Sequence, residues 1–326
     1  MKPLRNVGAS PRRGLVLGGG GLLGAAWTVG ALTAIEQSIG TDMRTVDHIM
    51  GTSAGAVTAA LLGAGVSVRQ LYSHQLGQPV DGPLAGYLWD YDHATGGPRP
   101  VRPRLGVGSP GMVTRNIKRL RKMPPTAVLS AFLPEGRGDL RGVGELVEMV
   151  TPEGQWSPHD GLWVVAMDYQ SGRRVAFGRQ DAPAAALPEA VMASCAIPGW
   201  FAPVVIDGRR YIDGGTCSAT SVDLLAGLGL DEVFVVAPTV SFSSDRPRAL
   251  LSRVERKWRI RVTRRCLREA EKLRAEGTKV TILGPGPDDL FEIGGNVMDT
   301  TRRLRVLETS IRTSAESLTG RSEAAA

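Results

Sequence analysis

The feature that most constrains the fold is a stretch of 22 residues without any charge, residues 14–35, which includes seven glycines. Such a stretch must be buried, either in a membrane or in a protein core. Because Arg12 and Arg13 precede it, the stretch also resembles a twin-arginine export signal. Four of its glycines are consecutive, and each disfavours a helix by about 1 kcal/mol relative to alanine. We therefore interpret the stretch as a buried strand, a glycine turn and a buried helix.

The same strand–turn–helix pattern occurs twice near the start of the chain. Residues 15–17 form a short apolar run that predicts a strand, and residues 22–38 follow as a helix. Residues 46–50 predict a second strand, which is followed by a turn at Ser53 and a helix of small residues over 54–62. Strands that alternate with helices in this way indicate an α/β fold with a mostly parallel central sheet.

The remaining chain continues this pattern with one interruption. Residues 76–140 include a stretch rich in proline and glycine, which predicts an irregular insertion or lid. Asp207-Gly208 predicts a hairpin turn, because both residues accept a positive φ. We expect one domain over residues 13–320, with polar tails at 1–12 and 321–326. Further strands are predicted at 162–167, 174–177, 204–206, 210–212, 233–237 and 280–283.

Composition sets the class of protein and of partner. The 326 residues are 42% hydrophobic and 22% charged, which is typical of a globular protein. The formal net charge of +7 favours an anionic partner such as a membrane surface, and does not by itself indicate nucleic acid. Three cysteines without a C-x-x-C pair predict neither a disulfide framework nor a zinc site. We therefore expect a cytoplasmic protein, in part peripherally bound to membrane, that needs no metal or cofactor.

Residues 51–55, Gly-Thr-Ser-Ala-Gly, match the G-x-S-x-G pattern of a nucleophile held on a sharp turn. The pattern is short enough to arise by chance, so the predicted secondary structure around it decides whether Ser53 is a nucleophile. A strand before Ser53 and a helix after it are what such a turn requires. Ser53 is therefore the candidate nucleophile, with Gly51 and Gly55 shaping the turn, and Ser109 is the second choice.

A serine nucleophile needs a base, and histidine is the usual one. The four histidines are at positions 48, 74, 93 and 159, so the second half of the chain has none. An α/β-hydrolase triad, in which the histidine comes last, is therefore not expected. Asp213, at the end of a predicted strand and before two glycines, is the best alternative base, although an ordinary Asp-Gly turn has the same pattern. Asp168 is the next candidate.

The glycine turn has two interpretations. Backbone amides of Gly19, Gly20 and Gly21 at a helix N-terminus could hold a developing oxyanion. The spacing also fits the dinucleotide-binding pattern G-x-G-x-x-G, which would make the chain a nucleotide-binding oxidoreductase. That pattern needs an acidic residue at the tip of the second strand. Asp42 and Asp47 are near the required distance, but Asp47 is at the start of the strand, which ends at residues 51–53.

Four segments together resemble the patatin-like phospholipase family: LVLGGGGLLGAAW, IMGTSAGA, MASCAIPGWFAPVVIDG and YIDGGTCS. They occur in the family's order and extend from about residue 15 to residue 218. The resemblance implies a three-layer α/β/α fold and a carboxylic ester hydrolase of the phospholipase A type. It also implies a Ser–Asp dyad of Ser53 and Asp213, with the oxyanion hole at Gly19 to Gly21.

Two positions depart from the family. Leu23 stands where the family commonly has arginine or lysine, and Ser218 stands where it commonly has asparagine. Leucine at position 23 leaves the backbone N–H donors in place, so an oxyanion hole is still expected. The two departures nevertheless leave open a catalytically silent protein with a regulatory role.

Residues 246–276 carry 12 Arg or Lys and four Glu in a helical pattern. A set of mostly apolar side chains falls near one face of this helix and is expected to pack on the core. The basic face is either simply solvated or attracted to anionic lipid. The apolar set is Leu251, Val254, Trp258, Val262, Cys266 and Leu273.

Overall fold

The structure is a computed structural model that describes residues 10–87, 89–90, 101–151, 154–243, 245, 247 and 250–324. Eight strands and ten α-helices lie within these residues. The strands are β1 (Arg13–Leu17), β2 (His48–Thr52), β3 (Leu162–Asp168), β4 (Arg173–Phe177), β5 (Val204–Ile206), β6 (Arg209–Asp213), β7 (Glu232–Val236) and β8 (Lys279–Leu283). The helices are α1 (Gly21–Ile39), α2 (Ala54–Gly63), α3 (Val68–Gln75), α4 (Pro110–Arg115), α5 (Pro125–Ser130), α6 (Arg141–Glu148), α7 (Leu187–Cys195), α8 (Leu250–Ala275), α9 (Pro287–Ile293) and α10 (Arg303–Ala324).

All eight strands belong to one sheet, whose order is β5-β6-β3-β2-β1-β7-β8, with β4 also paired to β3. The centre of the sheet is parallel and consists of β3, β2, β1, β7 and β8. The strands β4, β5 and β6 pair in antiparallel fashion. The expectation of a mostly parallel α/β sheet is therefore confirmed.

Side chains of β1 show why helices cover both faces of the sheet. Leu15 and Leu17 belong to a large apolar cluster with α1, α2, α7 and α10. Val16 points to the other face, where it belongs to a second cluster with Cys266 and Leu273 of α8. Since all three β1 side chains are buried, the strand is apolar without alternation, as expected for a parallel sheet covered on both faces. The molecule has three layers, α/β/α.

The uncharged stretch at residues 14–35 forms most of β1 and of α1, as predicted. Its side chains are largely buried, and α1 packs along α10. Within the described residues, no helix has both the length and the hydropathy that a membrane span requires. The absence of charge in this stretch is therefore explained by burial in the protein core.

Strand β2, the end of helix α10 and the segment at 76–140 differ from the sequence prediction. Strand β2 occupies residues 48–52 rather than 46–50, because Gly51 pairs with β1 on one side and with β3 on the other. Pairing on both sides outweighs the low strand propensity of glycine. Helix α10 continues to Ala324, into the expected tail at 321–326. The expected insertion at 76–140 contains the short helices α4 and α5, and residues 88 and 91–100 lie outside the described part.

Gly30 provides a test of the α1–α10 packing. A Cβ atom at Gly30 would lie 2.1 Å from Ser310 Oγ and 2.7 Å from the Leu307 carbonyl oxygen. We expect Gly30→Ala to lower the free energy of unfolding by roughly 1–3 kcal/mol through overpacking, although alanine is the better helix former. Gly111→Ala in α4 is the matched control, because its Cβ would meet no atom within 4 Å. Urea unfolding that finds Gly30→Ala as stable as Gly111→Ala would contradict this packing.

Candidate active site

Ser53 lies on a sharp turn between β2 and α2. Its backbone has φ 55° and ψ −129°, a conformation that is strained for any residue other than glycine. The two flanking glycines make the turn possible: a Cβ at Gly51 would lie 2.4 Å from the Gly55 oxygen, and a Cβ at Gly55 would lie 2.2 Å from the Leu17 oxygen. The local structure is therefore that of a nucleophile elbow.

The pairing of β3 brings Asp213 to this turn. Strand β4 follows one edge of β3 from Val164 to Asp168, so both other partners of β3 share its opposite edge. On that edge, β2 ends with Thr52 opposite Val165, and β6 ends with Asp213 opposite Ala166. The two strands approach from opposite directions and meet end to end. Ser53 and Asp213 therefore become neighbours although 160 positions separate them.

Asp213 is buried, with 6% of its surface exposed, and accepts a hydrogen bond from the Gly215 amide. The Ser53 hydroxyl lies beside its carboxylate. The Gly215 nitrogen lies 2.6 Å from Asp213 Oδ1. Burial raises the pKa of Asp213 to about 6, although the neighbouring Ser53 hydroxyl and the Gly215 amide act to lower it. A solvated Asp-Gly turn, the other interpretation of the sequence, is not what the structure contains.

Ser194, to which the sequence analysis assigned no role, supports the turn. The Ser53 amide donates to Ser194 Oγ at 2.8 Å, and Ser194 Oγ donates to the Val165 carbonyl at 2.6 Å. Ser194 is fully buried near the end of α7. It joins the strained turn to β3, the strand with which Asp213 of β6 also pairs. A serine within a mostly apolar helix is the sequence signal for this contact.

The glycine turn lies beside Ser53, with its three amides in different situations. A Cβ at Gly19 would lie 3.1 Å from Ser53 Cβ, so this backbone is in close contact with the elbow. The Gly19 amide donates to the Ala219 carbonyl at 2.9 Å and is therefore engaged. Within the described residues, the amides of Gly20 and Gly21 have no hydrogen-bond partner. Of the three amides predicted to form an oxyanion hole, the candidates that remain are those of Gly20 and Gly21, at the N-terminus of α1.

An apolar cleft opens beside Ser53. It is partly open to solvent. Its walls come from α1, α2, α3, α6 and α7, and no Asp, Glu, Lys or Arg lines it within the described residues. The polar lining side chains are Ser53, Thr58, His74 and Gln75. Such a cleft suits a long hydrocarbon chain.

The other candidates from the sequence are placed elsewhere. Ser109 Oγ donates to the Tyr169 carbonyl at 2.8 Å, with no base beside it in the described residues. Asp168 accepts hydrogen bonds from the amides of Gln170 and Ser171 and pairs with Arg209. Burial acts to raise the pKa of Asp168, but these contacts outweigh it and lower that pKa. Asp168 therefore stabilises a turn.

None of the described histidines is paired with Ser53 in the way a triad requires. His159 Nε2 lies 2.8 Å from the Val46 carbonyl oxygen. His74 lines the cleft, where burial lowers its pKa. His48 contacts the Trp163 ring, and His93 lies outside the described residues.

The acidic residues that a dinucleotide would need do not face the glycine turn. Asp47 precedes β2, at the opposite end of the sheet, and accepts a hydrogen bond from the Arg13 amide at 2.7 Å. Asp42 accepts from the Arg44 amide and starts a short 3₁₀ turn. The oxidoreductase interpretation therefore has no ribose-binding residue. Within the described residues, no group of three or more His, Cys, Asp and Glu could hold a metal ion.

Leu23 and Ser218, which depart from the family pattern, are both buried. Leu23 is fully buried in the core, and its amide donates to the Val297 carbonyl at 2.9 Å. Ser218 is also buried, and its hydroxyl donates to Glu269 of α8 at 2.9 Å. Neither side chain lines the apolar cleft.

The basic helix α8 packs differently from the prediction. Cys266 and Leu273 are buried as expected, but Val254 is 58% exposed. In its place, Arg256 and Arg259 turn inward, where Glu255 pairs with both. Trp258 and Val262 are half-buried, and the Leu251 side chain and residues 246, 248 and 249 lie outside the described residues.

The raised pKa of Asp213 predicts how stability depends on pH. Between pH 3.8 and about 6 the folded state binds more protons than the unfolded state, so the free energy of unfolding falls as pH rises. Asp213→Asn lacks this dependence. We expect it to match the wild type near pH 4 and to be more stable by roughly 1–3 kcal/mol at pH 8.

Urea unfolding of both proteins at the two pH values measures this difference. Asp168→Asn is the control of opposite sign, because folding lowers the pKa of Asp168; that variant should be less stable than the wild type at pH 8. If the two proteins differed in free energy of unfolding by the same amount at both pH values, the raised pKa of Asp213 would be contradicted.

Comparison with known proteins supports the resemblance found in the sequence. The family model described as patatin-like phospholipase matches residues 15–80 and 108–226. VipD from Legionella pneumophila is similar at 16% identity and a TM-score of 0.46, over 96% of this chain and 67% of that one. The type III effector protein ExoU is similar at 19% identity and a TM-score of 0.37, over 95% of this chain and 53% of that one. The family match covers more than half of the sequence and includes Ser53 and Asp213, so the chain belongs to the patatin-like phospholipase family.

Proposed function

We propose that the protein hydrolyses fatty-acyl esters of lipids or phospholipids through a Ser53–Asp213 dyad. The observation that carries this proposal is the position of the Ser53 hydroxyl beside the buried Asp213 carboxylate, whose pKa it acts to lower, next to an apolar cleft. A carboxylate that is desolvated and has a pKa of about 6 is a stronger base than a solvated one, yet remains ionised at neutral pH. Family membership supports the same class of substrate.

Acylation follows from these positions. Asp213 accepts the hydroxyl proton as Ser53 Oγ attacks the ester carbonyl carbon. The carbonyl oxygen becomes an oxyanion, which the Gly20 and Gly21 amides stabilise at the N-terminus of α1. The carbon–oxygen bond of the ester then breaks, and the proton held by Asp213 passes to the departing alcohol oxygen. The products of this step are the free alcohol and an acyl ester on Ser53.

Deacylation uses the same groups with water as the nucleophile. Asp213 accepts a proton from water, and the water oxygen attacks the acyl carbonyl carbon. When the second tetrahedral intermediate collapses, Ser53 Oγ leaves and takes its proton from Asp213. The fatty acid is released and both side chains return to their starting state.

The cleft supports the choice of a fatty-acyl substrate. Its described lining carries no charged side chain and is formed mainly by Leu, Val, Ala, Met and aromatic residues. Burial of hydrocarbon is favourable by about 25 cal/mol per Å², so an acyl chain gains most of its binding energy here. An anionic head group would have no cation to meet inside the cleft and is expected to stay at its mouth.

The dyad predicts a pattern that a triad would not show. Asp213→Asn keeps the shape of the side chain but cannot accept the serine proton, so kcat should fall by at least roughly 10²–10⁴-fold. Ser53→Ala should be similarly inactive, and the double variant hardly worse, because the two residues act as one unit. Short-chain ester hydrolysis and fluorophosphonate labelling measure these losses.

Histidine variants are the matched controls for the dyad. His48→Gln, His74→Gln and His159→Gln should each keep at least about a tenth of the wild-type kcat, since no proton transfer depends on them. If one of them fell to the level of Ser53→Ala while Asp213→Asn remained active, the dyad would be wrong.

We also propose that α8 contacts anionic membrane surfaces. Its outward face carries five cations that have no carboxylate partner within the described residues, together with the exposed Val254 and Ile260. Like charges four residues apart destabilise an isolated helix, so a negatively charged surface would relieve their repulsion. The five cations are Arg253, Lys257, Arg261, Arg264 and Arg268.

Charge reversal tests this contact. The triple variant Lys257→Glu, Arg261→Glu, Arg264→Glu should bind phosphatidylglycerol vesicles at least about 100-fold more weakly, at about 1 kcal/mol for each basic residue near the surface. Arg69→Glu, Arg115→Glu, Arg173→Glu changes the net charge equally at scattered exposed positions and should bind nearly as well as the wild type. Equal losses in the two triple variants would leave only a net-charge effect.

We propose a cytoplasmic protein with a peripherally bound fraction. The support is the state of Cys195, Cys217 and Cys266, which are all unpaired and buried. Thiols that stay free are typical of a reducing compartment.

A further inference from the structure

We infer that Glu269 is a positioning residue, which holds the loop after Asp213 in the conformation that the active site needs. Glu269 lies on α8, on the opposite face of the sheet from the acyl cleft, and beyond residue 226, where the family match ends. This inference rests on the proposed function, because it assigns Glu269 a part in the same reaction. It adds a residue outside the four segments that resemble the family.

Glu269 is buried, with a side chain only 7% exposed, and both of its carboxylate oxygens have partners. Its Oε2 accepts three hydrogen bonds from the loop: from the Ser218 hydroxyl at 2.9 Å, the Thr220 hydroxyl at 3.1 Å and the Val222 amide at 3.2 Å. Its Oε1 lies 2.9 Å from Arg265 Nε and 3.8 Å from Arg174 Nη1. One carboxylate thus gathers three donors of one loop and two cations.

The loop held in this way touches both parts of the site. It begins at Gly214, directly after Asp213, and reaches Val222. Between Ser218 and Thr220, the Ala219 carbonyl accepts the hydrogen bond from the Gly19 amide. Gly19 in turn lies against Ser53, so a shift of Ala219 would move the glycine turn relative to the nucleophile. Glu269 therefore acts on the base and on the oxyanion donors through one segment of backbone.

The loop needs to be held because part of it is strained. Ser221 has φ 54° and ψ 28°, the left-handed region that non-glycine residues rarely adopt. The Ser221 amide donates to Ser218 Oγ at 3.0 Å, and the hydroxyl of Ser218 donates onward to Glu269. The strained residue is thus connected to α8 through Ser218. Without Glu269, these buried donors would lose their acceptor.

The charge of Glu269 matters as well as its shape. A carboxylate offers two acceptor oxygens, one for the loop donors and one for Arg265 and Arg174. In glutamine, one of these positions becomes an NH₂ group, which is a donor only. If the amide oxygen keeps the loop contacts, the NH₂ group must face two guanidinium groups. Glu269→Gln should therefore impair the site less than Glu269→Ala.

The test compares Glu269→Ala and Glu269→Gln with Glu271→Ala, an exposed glutamate two residues further along α8. Turnover of a soluble short-chain ester should show kcat lowered about 10–100-fold in Glu269→Ala, as expected for a misplaced catalytic group. KM should change less than about threefold, because the acyl cleft lies on the other face. Glu269→Gln should fall between the wild type and Glu269→Ala, and Glu271→Ala should match the wild type.

Hydrogen exchange provides a readout that does not depend on activity. Amides over residues 214–222 should exchange at least about tenfold faster in Glu269→Ala, while those of β1 and β7 keep their protection. The midpoint of the acid limb of kcat/KM, set by the Asp213 pKa of about 6, should also move to lower pH as the loosened loop admits water. Global destabilisation alone would produce neither change.

The outcomes separate the two proposals. If both Glu269 variants kept wild-type kcat and wild-type exchange over residues 214–222, the positioning role would be wrong. If the wild type hydrolysed no ester and took up no fluorophosphonate, the proposed function would fail, and the exchange measurement would still decide whether Glu269 holds the loop. Should Glu269→Ala not fold, Glu269→Gln alone decides, through the same exchange and pH profile.

Discussion

The pairing of β3 is the constraint on which the rest of the site depends. A strand has two edges, and β4 occupies one edge of β3 along the segment in question. The other edge is shared by β2, which ends at Thr52, and by β6, which ends at Asp213. Two strands that meet end to end must both turn away from the sheet at that point. A strained serine and a buried aspartate are what the chain places at those two ends.

The parts of this arrangement that are local were predictable. The turn at Ser53 needs a strand, two glycines and a helix of small residues, all within about fifteen consecutive positions. The Asp207-Gly208 hairpin and the burial of β1 follow from equally short patterns. The boundaries of the eight strands and of helices α1 and α2 therefore agree with the sequence prediction to within two residues, whereas α3 to α7, α9 and α10 were not predicted.

The parts that depend on register or on distant contacts were not predictable. No short pattern shows that β2 and β6 share an edge of β3, so Asp213 could be chosen over Asp168 only by its glycines and by family resemblance. Nor does a pattern show that the Gly19 amide is engaged by Ala219, or that Ser194 supports Ser53. These contacts join residues that lie 141 or more positions apart, and each becomes visible only when the sheet is assembled.

Helix α8 shows why an apolar stripe is an incomplete guide. In its first half the inward face is polar, because Arg256 and Arg259 reach backbone carbonyls of Leu290 and Pro238 and pair with Glu255. Buried charges are tolerated only when they are paired and hydrogen-bonded in this way. Hydrophobic side chains such as Val254 are left outside. The inward face of this half is therefore set in part by groups outside the helix, the two carbonyls and the Asp245 carboxylate that pairs with Arg256, which helical periodicity does not reveal.

The unfavourable features of the molecule gather around one point and are supported from both layers. The backbone of Ser53 and that of Ser221 are strained, and the Asp213 charge is desolvated. Each feature lowers stability, and each persists because neighbouring structure leaves no alternative. Ser194 of α7 contacts the Ser53 turn from one face of the sheet, while Glu269 of α8 contacts the loop after Asp213 from the other. The geometry of the proposed dyad therefore depends on all three layers, which explains why two side chains would need an entire α/β/α domain.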